Sequence, residues 1–138
     1  MANIRFKYLY RDGSNFKKWG AVIFSNAEEL PVAAVAESLQ RQLSPDGYFI
    51  ASQVNVPEVF LFDDYLLNPD DHCFHEFHSV EATDKLATDN YGRSVREFIG
   101  EVEKEAESGW EVSDPLAPFA QEQRRSFKRF LSVLESCE

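Results

Sequence analysis

Long apolar runs are missing from this sequence. No stretch approaches the ~18 residues that a membrane-spanning helix needs, so a chain crossing a bilayer by helices is excluded. The first ten residues, MANIRFKYLY, alternate polar and apolar and lack the apolar centre of a secretory signal. Cysteine is scarce. Cys73 and Cys137 lie far apart, whereas a secreted domain stapled by bridges normally carries more. A cytoplasmic protein is therefore expected. A chain of 138 residues buries roughly two-thirds of its unfolded surface, so neither bridge nor metal is needed to hold its core.

Glycine is also sparse, and the six present (Gly13, Gly20, Gly47, Gly92, Gly100, Gly109) form no phosphate-cradling loop. No serine sits in a G-x-S-x-G elbow, and no C-x-x-C pair occurs. A restriction-type nuclease needs two acids and a lysine around Mg²⁺. Pro69-Asp70 begins that pattern, but Thr83-Asp84-Lys85 places threonine where the second acid belongs.

What is present is aromatic and acidic. Phenylalanine occurs twelve times, which implies an aromatic-rich core. The formal charge of −10 is concentrated in the middle of the chain. Residues 1–60 balance six acids with six bases, residues 61–114 set fifteen acids against four bases, and residues 115–138 net +1. That acidic middle disfavours nucleic acid, because phosphate contacts draw on Lys and Arg.

Periodicity orders the elements. Ile4, Phe6, Tyr8 and Tyr10 alternate with Arg5, Lys7 and Leu9, the mark of a strand with one mostly polar face. Residues 11–18 are turn-rich, and residues 19–25 read as a better-buried strand closing a hairpin. A helix is expected from Pro31, at its first position, to Leu43, with Val32, Val35, Ala36, Leu39 and Leu43 in one stripe. Residues 48–51, 58–62 and 72–78 read as strands, and residues 79–91 as irregular.

A second helix should run from about Ser94, which has capping-box spacing to Glu97, to Ser108, with Gly109 as its stop. Residues 110–112 are a candidate short strand. A third helix is expected over about 118–137, with Phe119, Phe127, Phe130, Leu131 and Leu134 on one face and Arg124, Arg125, Lys128 and Arg129 opposite. The order β-β-α-β-β-α-α, with an extra short strand among the candidates, predicts an α+β domain. Its mainly antiparallel sheet of about four strands has helices on one face, and the last helix is a candidate detachable arm.

The densest chemical cluster is Asp70-Asp71-His72-Cys73-Phe74-His75-Glu76-Phe77-His78, which holds all three histidines. Imidazole and carboxylate suit a divalent transition metal, so His72, His75, Asp63 and Asp64 are the candidate ligands. On a strand, His72 and His78 would face one way and Cys73 and His75 the other, so one strand presents only a pair and other segments must complete the set. The plainer reading gives His75 a hydrogen-bonded structural place with His72 and His78 near the surface. It also makes the acids of 63–71 a solvated loop.

The segment Arg11–Trp19 mixes bases with aromatics, a combination that can stack on nucleobases. One short patch supplies few phosphate contacts, and Phe16 and Trp19 folding back on the core explains the same residues. Arg11, Asp12, Asn15, Lys17 and Trp19 are the candidate binding residues of this loop.

Three stretches, YLYRDGSNFKKWG with FSN following (8–20 and 24–26), VPEVFLFD (56–63) and DHCFHEF (71–77), resemble a family of uncharacterised small acidic bacterial proteins. The resemblance implies a bacterial cytoplasmic protein and brings no activity or site residue with it. The function expected is therefore a non-enzymatic interaction or regulatory module whose partner is another protein. A metal-dependent hydrolase or nuclease using the His72–His78 segment, and an acidic mimic of nucleic acid, are the alternatives.

Overall fold

The alternation of residues 3–10 becomes strand β1 (Asn3–Arg11), paired antiparallel with β2 (Lys17–Phe24) in an unbroken register from Ile4 opposite Phe24 to Arg11 opposite Lys17. The computed structural model describes residues 2–43, 45–60 and 72–111. Helix α1 (Val32–Gln42) follows, then the short strand β3 (Tyr48–Phe49), a single 3₁₀ turn at Ala51–Val54, strand β4 (His75–Thr83) and helix α2 (Val95–Ser108). The four strands form one antiparallel sheet in the order β2-β1-β4-β3. The fold is α+β, as the element order predicts.

Both described helices lie on one face of this sheet. Ile4, Phe6 and Tyr8 of β1 meet Val22 and Phe24 of β2, Val35 and Leu39 of α1, and Phe98 and Val102 of α2 in one core. Its centre is aromatic. Phe24 stacks on Phe98 with centroids 4.3 Å apart, and Phe6 meets Phe98 edge-on at 4.9 Å. Rings at these spacings add about 0.5–1.5 kcal/mol beyond burial, and Phe6, Phe24, Phe49, Phe77 and Phe98 share this one seam.

A bulge in β4 sets which side chains reach that seam. Lys7 faces Ser79 but Tyr8 faces Phe77, leaving His78 as the extra residue. The extra residue resets the alternation. Phe77 and His75 turn toward the core, while His78 is exposed.

The helix signals act locally. Ser94 accepts from the Glu97 N–H while Glu97 accepts from the Ser94 N–H, the reciprocal pair expected from the spacing. Pro31 stands at the N-cap of α1 rather than at its first turn, and its carbonyl accepts from Ala34 and Val35. Buried Asn26 holds the approach to α1 by bonding both the N–H and the C=O of Leu30.

Three expectations need correction. Residues 58–60 carry no regular structure; there the Val59 N–H bonds to the His75 side chain, and just before it the Pro57 carbonyl accepts from Tyr8, instead of joining a ladder. Residues 79–83, expected to be irregular, continue β4 because β1 offers them a complete partner from Lys7 to Asn3. Trp110 and Glu111 are not in a strand. The third helix, over 118–137, lies outside the described residues, as do Cys137 and residues 61–71.

Candidate functional site

The three histidines go to three different places. His75, 1% exposed, sits among Tyr8, Tyr10, Phe49 and Phe60. Its Nε2 accepts from the Val59 N–H at 2.9 Å, which puts the ring hydrogen on Nδ1. Buried Nδ1 has no hydrogen-bond partner among the described residues. Burial, helped by nearby His72, pushes the His75 imidazole down to about 4.

His72 is bonded to main chain through both ring nitrogens. Nδ1 accepts from the Phe74 N–H at 3.0 Å, so Nε2 carries the hydrogen, which the Arg11 carbonyl accepts at 2.6 Å. His78 lies exposed, its ring edge-on to Trp19 at 4.9 Å and Nδ1 bonded to the Ser79 hydroxyl. His72 and His75 both touch the ring of Tyr10, but their bonded nitrogens answer separate backbone groups. Among the described residues no three His, Cys, Asp or Glu side chains converge as a metal-binding group. Asp63 and Asp64 lie outside the described residues.

The hairpin residues divide into builders and exposed groups. Asp12, buried, accepts the N–H groups of Ser14 and Phe16, each at 2.9 Å, and so closes the turn. Asn15 holds the left-handed position at φ 72°, which asparagine tolerates better than most residues. Arg11 reaches across to Glu76, with Nε–Oε1 at 3.1 Å, and also donates to the Asn15 side chain. These three are committed to holding the loop. Lys17 and Trp19 project outward instead.

Phe16 and Trp19 do not fold back on the core. They are 68% and 51% exposed. The reason is parity. The core-side positions of β2 opposite Tyr8 and Tyr10 are Gly20 and Lys18, while Trp19 sits opposite Leu9 on the far face. Gly20 leaves its space to the Tyr8 ring, whose Cζ would lie 2.7 Å from an added Cβ.

The edge of β2 has two unlike halves. At one end it is capped: Ile23 bonds to Thr88 and Asp89 through its N–H and C=O, and the Ser25 carbonyl accepts from Val95. Since Ile23 points these groups away from β1, the period of two points those of Lys17, Trp19 and Ala21 the same way. No described strand pairs with them, and all three residues are exposed. An open strand edge beside two exposed aromatic rings is the most distinctive unsatisfied feature of the described surface. The sequence places Trp19 in a better-buried strand, and only the register with β1 shows its exposure.

No described helix is long and apolar enough to cross a membrane. No family model, curated protein or solved structure matches this chain.

Proposed function

We propose that the protein is a non-enzymatic interaction module of the cytoplasm that takes an extended segment of another protein along the open edge of β2. The observation that carries this reading is the exposed run Lys17–Ala21. Its outward backbone groups would continue the sheet, and Trp19 and Phe16 would cover the added strand. Main-chain bonds supply affinity in such strand addition and side chains supply selectivity. Long exposed edges are usually blunted in monomeric proteins. In this chain the Ile23–Ser25 half is covered by residues 88–95 while the Lys17–Ala21 half stays accessible, a pattern suited to selective pairing.

The test is capture from a bacterial lysate by the full chain and by an Ala21→Pro variant. Proline removes one outward N–H at an edge position that tolerates it. Proteins retained by the parent and lost by the variant, with the variant's unfolding curve unchanged, support the reading. The same proteins retained by both would refute it.

A further inference from the structure

The chemistry around the edge says more about the segment it would take. We propose that this segment is acidic, with a carboxylate directly across from Lys17 and an apolar side chain across from Trp19. The inference rests on strand addition at β2 and adds the partner's charge to it.

Residues 13–21 contain Lys17 and Lys18 and no acid, in a chain of net charge −10. The one acid at the hairpin tip, Asp12, is buried and bonded to the turn's own N–H groups. Lys17 is exposed and shares the far face with Trp19 and Ala21. Lys7 lies beside Ala21 on that face, since the two are paired across β1 and β2. On the neighbouring strands, Glu76 is held by Arg11, and Glu81, which also feels Lys7, is held by Arg5. A strand added to β2 would therefore meet the Lys17 ammonium and the Trp19 indole on one face, with Lys7 one strand further in.

A second copy of this chain fits less well. Two-fold pairing about Trp19 would set Lys17 opposite Ala21, with no carboxylate among residues 13–21 to face either lysine. A single-stranded nucleic acid would find stacking surface at Phe16 and Trp19. It would find only a few lysines for a run of phosphates, whereas an acidic strand needs a cation at a single position.

The experiment selects binders from a random peptide library on the full chain, then titrates one synthetic binder into isotope-labelled protein. Selected peptides should carry Asp or Glu two positions from an apolar residue. They should shift the amides of Lys17, Trp19 and Ala21, and lose affinity when N-methylated at the pairing positions. Lys17→Glu should weaken the acidic peptide by about two- to five-fold, the range of one cross-strand charge pair, and should strengthen its lysine counterpart.

Peptides that shift the β2 amides but show no acid enrichment, or ignore Lys17→Glu, overturn the acidic partner and leave strand addition standing. Peptides that leave those amides unmoved, or no binder at all, overturn both. Concentration-dependent shifts at Lys17–Ala21 without peptide would assign the edge to a second copy. Tighter binding of oligothymidylate there would assign it to nucleic acid. Each of these two outcomes overturns the acidic-segment proposal.

Discussion

Val59 donates its backbone N–H to Nε2 of His75 across 2.9 Å, joining a stretch with no regular structure to the first residue of β4. The bond needs an unprotonated Nε2, and burial holds the imidazole neutral down to about 4. The unfolded chain binds that proton near 6.5. Above that pH neither state carries it, and no stability is at stake. As pH falls from about 6.5 toward 4 the unfolded state gains a proton that the folded state refuses, so stability declines, by about 3 kcal/mol over the window, then levels off. Urea unfolding across this range should show a shallower decline in His75→Gln, which keeps an acceptor for Val59 but does not titrate.

Two glycines should respond oppositely to alanine. At Gly20 the new Cβ would meet the Tyr8 ring at 2.7 Å, and that ring is fully buried with its hydroxyl donating to the Pro57 carbonyl at 2.5 Å. Overpacking of this kind costs about 1–3 kcal/mol. At Gly100, inside α2, nothing lies within 4 Å, so Gly100→Ala should stabilise by about 0.5–1 kcal/mol through helix propensity. Thermal or denaturant unfolding of the two single variants checks the signs.

Arg93 is the tie between α2 and the rest of the fold. Its Nε and Nη2 grip both oxygens of Asp89 at 3.0 and 2.9 Å. Its remaining N–H groups reach the carbonyls of Val54 and Asn55, each at 2.8 Å, and the Glu101 carboxylate. The guanidinium also lies over Phe24, Tyr91 and Phe98 at 5.2–5.4 Å. Burial alone would raise the Asp89 carboxyl, but the Arg93 side chain and N–H outweigh it and hold it below the usual carboxylate range. Arg93→Met should cost about 3–5 kcal/mol, because it strands a carboxylate whose side chain is 2% exposed. Arg93→Lys should recover only part, lacking the planar fork. Chemical denaturation of both variants measures this.

Ser94→Ala should destabilise by about 1 kcal/mol by removing the acceptor for the Glu97 N–H. Ser94→Asp should restore most of it, since aspartate caps as well and suits the helix N-terminus. Helical circular dichroism followed through unfolding distinguishes the three proteins.

Phe16→Ser and Trp19→Ser should change folding stability by less than about 0.5 kcal/mol, because both rings are mostly exposed. The same substitutions should abolish capture of any segment that docks along β2. A large loss of stability in either variant would mean that the ring serves the fold rather than a partner.

Local rules were readable directly from the chain. The Ser94–Glu97 spacing, the stripes of α1 and α2 and the alternation of β1 each depend on near neighbours, so a single sequence shows them. The bulge at His78 did not announce itself. It exists because β1 pairs with β4 through two registers, and that pairing also extended β4 to Thr83 against the expectation of an irregular segment. The separate places of the three histidines were decided by packing for the same reason. Adjacency along the chain brought three imidazoles together on paper, whereas the packing sent one into the core, one onto main-chain groups and one to the surface.

The α+β class, the acidic middle and the apolar faces were set by the sequence alone, because they follow from helical and strand periods and from composition. Which edge of the sheet stays open was decided only by tertiary structure. The residues that cover Ile23 come from a loop 65 positions away, and no local pattern tells a strand whether a distant segment will return to pair with it.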